Sequence, residues 1–457
     1  MGYIKNSLLF VGFLLNGVHL SATNYYINSR FGNDGNTGIT KDTPWSSFRN
    51  IQDKKFFPGD SILFAKGSKY TGGFIFKSSG SADRPIVISA YSAGADIVLN
   101  NHRSQLSPIL VRYGAGRAPA FSNTDWNLLD GNSIRIEGSY VIVDGLYFHD
   151  NTNPPSSNRQ NKNVQKMGAV YLGLDANNNI IRNCEFYNSP VGIKVKGRHN
   201  LITRNYLHDA YDSMAHSWGP IAIMIVSPYN EISFNRIMNY GSYGGPYGSD
   251  GGVIELDGVD TSFDGRNIHI HHNTSINNHG FVELAGRNVD SITISFNLSD
   301  DRNQFVGGGS MKNVFVYNNT IIRIREPNVD RYVFWTFVPD ATFITVRNNI
   351  FVLAGDIKVF GPYKKPEGHQ RTGIGNQVRD HNLYYSPGYP ESDPIGIPAG
   401  KNDIVADPLF IDFKNGNYRL RADSPARKRG TKTHIKMDLD GYPIPNKGAP
   451  DIGAYQH

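Results

Sequence analysis

The chain has 457 residues, 39% hydrophobic, 12% aromatic and only 19% charged, which excludes a disordered chain and a coiled coil. Its 48 glycines, with 25 Tyr and 25 Phe, favour β-structure with many turns, and a single Cys excludes an intramolecular disulfide or a Cys-rich zinc site. A net charge of +6 permits an anionic partner but is too small to point to nucleic acid.

Residues 1–22 read as a secretory signal. Lys5 supplies the positive start, Leu8 to Leu15 the apolar run, and Ser21-Ala22 small residues before a cut at Thr23. The run is too short for a membrane span and no Cys follows for a lipid anchor. A secreted or periplasmic protein without membrane insertion is expected, and a monomer. Residues 23–60 read as an N-terminal cap: the aromatic strand NYYIN, a Gly/Asp/Asn loop, and a short helix in PWSSFRNIQ that begins at Asp42 or Thr43 before Pro44.

Residues 61–402 read as the body of the fold, and from about residue 165 onward the chain repeats itself loosely. Short alternating strands end in Asn at Asn183, Asn205, Asn235, Asn273, Asn297, Asn319, Asn349 and, more weakly, Asn382. The intervals from Asn183 to Asn319 are 22, 30, 38, 24 and 22 residues, a fixed coil with variable loops. Alternation such as Ile-x-Ile sends one set of side chains inward. A recurring Asn at a bend tolerates left-handed backbone, and stacked Asn amides can satisfy one another. The pattern predicts a parallel β-solenoid of about ten coils. Residues 403–457, with several Pro turns, read as its closing segment at the far end.

Tyr25-Tyr26-Ile27, Gly32, Asp34, Asn36, Gly38, Pro44 and Trp45 resemble the opening motif of secreted right-handed parallel β-helix proteins. ADPLFID (406–412), NYRLRADSPA (417–426) and PDIGAYQH (450–457) are similar to their closing segment. The resemblance implies an all-β fold, a single-stranded right-handed parallel β-helix with both ends capped. It also implies a carbohydrate-active protein, since the family holds polysaccharide lyases, alginate lyases among them, and glycoside hydrolases.

A second strand precedes each Asn strand. Aligning these strands by their closing Gly or Ser places Tyr171, Lys194, Met224, Glu255 and Glu283 in one outward column, with Gly173, Lys196, Val226, Asp257 and Ala285 beside it. Glu255 and Glu283 would then lie about 5 Å apart, where two carboxylates resist joint ionisation. Three readings follow. The first is a polysaccharide lyase acting by β-elimination on a uronic-acid glycan, an alginate-like chain leading. Lys194, His216, Tyr243 and Arg287 would then neutralise the carboxylate and move protons, while Lys196, Trp218, Tyr240, Tyr247 and His271 hold the substrate. By resemblance to Ca²⁺-dependent lyases, Glu255, Asp257 and Glu283 would hold Ca²⁺, although no Lys follows between Val259 and Arg266, where one such group has its base. The second is a retaining glycoside hydrolase using the paired carboxylates. The third is a non-catalytic carbohydrate-binding protein.

Overall fold

The structure is a computed structural model. It describes residues 21–92, 118–152, 164–210, 219–242, 250–258, 264–286, 289–309, 311–325, 331–338, 342–362 and 371–457. The expected signal falls almost wholly outside them. Among the described residues, no helix is long and apolar enough to cross a membrane.

The repeat closes into three long sheets of 12, 10 and 12 strands, in which each strand pairs with the equivalent strand of the next coil. The pairings are parallel, as along Val170–Leu172, Val191–Val195, Ile221–Ile225, Gly252–Leu256 and Val282–Leu284. This is the expected parallel β-helix. Inward Ile, Val and Phe side chains, such as Ile193, Ile223, Ile254, Ile270 and Ile294, form one continuous buried core.

The Asn positions form a hydrogen-bonded ladder. The Cys184 N–H donates to Asn205 Oδ1 at 3.0 Å, Asn205 to Asn235, Asn235 to Asn273, Asn273 to Asn297, Asn297 to Asn319, Asn319 to Asn349, and Asn349 to Asn382. Asp403 Oδ1 ends the series by accepting from Asn382. Each Asn Nδ2 also reaches the next Oδ1 and a backbone carbonyl, as Asn273 does toward Asn297 and Ile232. One expectation is corrected. The left-handed residue is the one before the ladder Asn, and it can be Arg204, Phe234, His272 or Phe296 as well as Asn318 or Asn348. Asn183 is such a residue, so Cys184 occupies the first ladder place, as a small buried side chain. The Asn is selected for its amide, which stacks, and not for its backbone freedom.

The ends differ in detail from expectation. The cap helix spans Arg49–Asp53, well after Asp42. Pro44-Trp45 is extended instead, because Trp45 bridges Ile27 and bonds the Tyr26 and Asn28 backbones, while Asp34 takes the Ser46 and Ser47 N–H groups. Phe48 then covers Phe64, Phe74 and Phe121 at the open end of the core. The closing segment does not simply plug the far end. Phe410, Tyr418, Leu420, Leu439, Ile452 and Tyr455 run back along the outside of the third sheet. There they cover the outward apolar residues Leu298, Ile322, Ile350, Val352 and Leu383, which water would otherwise meet.

Replacing Asn273 by Leu should leave the Asn235 N–H buried without an acceptor and cost about 1–3 kcal/mol. A lowered urea midpoint at unchanged m-value is the expected result; an unchanged midpoint would show that the ladder does not hold the coils.

Candidate active site

The strands of the ten-stranded sheet place the expected column in register. Arg135, Tyr171, Lys194, Met224, Glu255, Glu283 and Gly307 are successive partners across it. Glu255 and Glu283 are thus on adjacent strands, at a strand spacing of about 4.8 Å. The neighbouring column is less regular. Gly286, not Ala285, donates to the Leu256 carbonyl, so the ladder slips after Glu283.

The column is far more buried than alternation implies. Lys194 and Met224 are fully buried, and Glu255 is 8% exposed. The cause is a cover that sequence periodicity does not signal. Val164 and Met167 pack with Val191, Ile221 and Met224 in a separate apolar cluster on the outside of the sheet. Gln165 is sewn into this cover. Its Oε1 accepts from Lys194 Nζ at 2.5 Å and its Nε2 donates to Asp257 Oδ2 at 2.9 Å. Lys194 Nζ also meets Met224 Sδ at 2.9 Å. Lys194 is therefore no surface base or neutralising cation for substrate, and that expectation is corrected. It stabilises the neighbouring acids from beneath.

Burial and then the nearby Glu283, Asp257 and Asp250 raise the Glu255 carboxyl well above the ordinary range, with Lys194 opposing them. Burial likewise raises Asp257, again against Lys194. Asp250, which accepts the Gly251 N–H at 2.8 Å, is raised by burial and opposed by that bond and by Arg371. Glu255 and Glu283 line a shallow, closely packed depression whose other walls include Gly251, Gly252, Gly280, Ile221 and Gln304. The next place in the column, Gly307, has no side chain because the Trp335 ring lies there; a Cβ would come within 2.2 Å of it. Arg371 lies over that ring, 4.4 Å from its centre.

Other expected residues fall elsewhere. Tyr240 is fully buried in the core, with its hydroxyl donating to the Ser189 carbonyl at 3.1 Å, so it cannot stack on a sugar. His271 belongs to the first twelve-stranded sheet, where it pairs with Glu231 at 3.2 Å and His272 at 2.7 Å, away from the carboxylates. Lys196 is half-buried just beyond its strand. His216, Trp218, Tyr243, Tyr247 and Arg287 lie outside the described residues. Among the described residues no three His, Cys, Asp or Glu side chains converge as metal ligands. Sequence reading missed Asp250, Gln165, Gln304 and Arg371. Only Asp250 had a cue, the Gly251-Gly252 pair that opens its strand.

No family model matches the chain. A stretch of 88 residues, 18% of the chain, is 35% identical to a lacto-N-biosidase of Bifidobacterium longum and covers 6% of that protein's length. Among solved structures, XylC in complex with xylose aligns with TM-score 0.52 at 12% identity, over 94% of this chain and 98% of its own, which shows the shared fold. Pectate lyase Pel9A aligns at TM-score 0.48 and 14% identity over 96% of this chain and 98% of its own. A GH136 lacto-N-biosidase of Eubacterium ramulus aligns at 0.43 and 14% over 84% and 67%.

The raised Glu255 carboxyl has a testable stability consequence. Its folded form is disfavoured once ionised, so this contribution is intact below the unfolded value of about 4.3 and is lost as pH rises toward the folded value. Glu255→Gln stays neutral throughout. Urea titrations should show the variant gaining on the parent by about 1.4 kcal/mol per pH unit within that window; parallel pH profiles would mean Glu255 is not held protonated.

Proposed function

We propose that the protein is an exported glycan-degrading enzyme that hydrolyses a glycosidic bond with retention, using Glu255 and Glu283. One observation carries this reading: two carboxylates in register on adjacent strands, one of them raised well above its ordinary range. The adjacent strands that carry them are about 4.8 Å apart, a spacing compatible with the roughly 5 Å between the carboxyl groups of retaining hydrolases. Glu255, protonated by burial and by its neighbour's charge, donates to the leaving oxygen. Glu283, half-buried at the depression, attacks the anomeric carbon and forms a glycosyl-enzyme. Water then displaces the sugar, with the Glu255 carboxylate now acting as base. Lys194 stays beneath and limits how far Glu255 is raised. Export rests on the apolar run at Leu8 to Leu15.

A second reading, β-elimination on a uronate glycan, is supported by Arg371. It is exposed, lies over Trp335, and is close enough to act electrostatically on Asp250. It is thus a cation at the edge of the acidic cluster that can meet a sugar carboxylate. No step in either reading is routed through Ca²⁺.

A panel of neutral and acidic polysaccharides separates the two. The expected result is new reducing ends, with no unsaturated-uronate absorbance, no effect of chelator, and retained anomeric configuration by NMR. Rising absorbance would replace hydrolysis by elimination. Glu255→Gln and Glu283→Gln should each lower kcat by roughly 10²–10⁴. Lys194→Met should move the alkaline limb of the pH–rate profile to higher pH, because it removes the charge that lowers Glu255; a limb that stays in place or falls would unseat Glu255 as the acid.

A further inference from the structure

The closing segment concentrates positive charge that the candidate site does not use. Residues 424–457 hold six Lys or Arg and three Asp, a net +3 of the whole chain's +6. The three acids are committed elsewhere. Asp438 is fully buried, and its carboxylate accepts the Asp440, Tyr442 and Gln456 N–H groups. Asp451 is buried and accepts the Lys428 N–H at 2.7 Å. Asp440 takes two bonds of 2.7 Å from Arg419. Lys428, Arg429, Lys432, Lys436 and Lys447 are exposed, and none of them forms an ion pair among the described residues.

These cations sit on a shaped element. Residues 427–436 and 443–451 run side by side as the two arms of a strap. The Gly430 N–H donates to the Pro450 carbonyl, Lys432 Nζ to the Asn446 carbonyl and the Ile444 N–H to the Lys436 carbonyl, each at 2.8 Å, and Met437 bridges Pro443. The strap is tied to three coils through the left-handed residues that precede the ladder Asn. His272 Nε2 donates to the Met437 carbonyl at 3.2 Å and Asn318 Nδ2 to the Asp451 carbonyl at 3.3 Å. Asn348 Nδ2 donates to the Thr431 carbonyl at 2.7 Å, and the Thr431 N–H returns to Asn348 Oδ1 at 2.8 Å. This is the corner between the two twelve-stranded sheets, whereas Glu255 and Glu283 belong to the ten-stranded sheet.

The chemistry of the strap selects its partner. Like charges held along a fixed backbone favour a polymer that carries the opposite sign at intervals. Tyr442, 62% exposed, stands on the hairpin that Lys436 opens, and its ring offers an amphipathic face beside the cations. Apolar side chains for insertion into lipid are few. Leu439 and Ile452 are buried, and Met437 is the one exposed large aliphatic side chain of the strap.

We infer that the strap is a second glycan-binding surface, separate from the paired carboxylates, on which a linear carboxylated polysaccharide lies across Lys428, Arg429, Lys432, Lys436 and Lys447. It performs no chemistry and holds the protein to an acidic matrix. It stands apart from the hydrolytic reading and survives that reading's failure.

The test is fluorescence anisotropy with labelled polygalacturonate and polymannuronate, in Glu283→Gln protein so that no probe is consumed. At least one of the two should bind at low salt and be released at high salt, and neutral xylan should not compete. Lys428→Gln, Arg429→Gln, Lys432→Gln and Lys436→Gln combined should weaken binding about tenfold. A matched control combines Lys54→Gln, Lys55→Gln, Lys66→Gln and Lys69→Gln, four exposed lysines near the opening cap, and should stay within about twofold of the parent. Lys436→Glu and Lys447→Glu, each a single exposed exchange, keep the test open if the combined variant does not fold; each should cost about threefold. Absence of binding by both uronates, equal loss in strap and control variants, or an unchanged Kd in the strap variants would overturn the inference. So would competition by xylan, tighter binding to phosphatidylglycerol vesicles than to either uronate, or a loss of binding in Arg371→Gln but not in the strap variants, which would move the uronate to the candidate site.

Discussion

Everything at the candidate site depends on coils stacking without slippage, and buried amide hydrogen bonds enforce that stacking. In a parallel sheet a slip of one residue would turn every outward side chain inward. The ladder from Asn205 to Asn382 makes such a slip costly, since from Asn235 onward each Asn Oδ1 accepts from both the backbone and the side chain of the preceding Asn. A second, shorter series does the same where the first sheet begins, with the Val141, Asn179 and Asn200 N–H groups donating to Asn179, Asn200 and Asn230. Fixed register turns residues 28 positions apart, Glu255 and Glu283, into neighbours.

That adjacency has a price in electrostatics, which the surroundings raise further. Burial alone disfavours an ionised Glu255, and Glu283, Asp257 and Asp250 add to it. The opposing charge, Lys194, is itself fully buried and is linked to Asp257 through the Gln165 amide. Moving Lys194 closer would oppose the raised Glu255 carboxyl more strongly. Its placement two strands away preserves the asymmetry between a protonated and an ionised carboxyl on which acid catalysis depends.

The fold and the column were legible because both follow from local period: alternation sets which residues face out, and the recurrent Asn marks each coil. Tyr171, Lys194, Met224, Glu255 and Glu283 fell in one row on that basis alone. Depth was not legible. Alternation says that Lys194 leaves the core, but not that Val164, Gln165 and Met167 come from before the repeat unit to cover it. Tyr240 failed for the same reason: an aromatic near a Gly-rich loop looks available, yet its hydroxyl is spent on the Ser189 carbonyl. Gln304 carried no cue, because its burial comes from packing against Gly280 in the coil before and from Arg323, which bonds its carbonyl.

Net charge says little about any one cleft for a related reason. A total of +6 averages over a long surface, whereas recognition is set within a few ångströms. Many of the basic residues are committed to structural pairs far from the depression, among them Arg182 with Asp144, Arg325 with Asp300 and Arg419 with Asp440. Among the described residues around the paired carboxyl groups the balance is reversed: acids line or flank the depression, Lys194 is sealed below and Arg371 lies over Trp335. A globally basic protein can therefore hold a locally acidic cleft. Any ligand there would meet that local charge first, whatever the sign of the surface beyond.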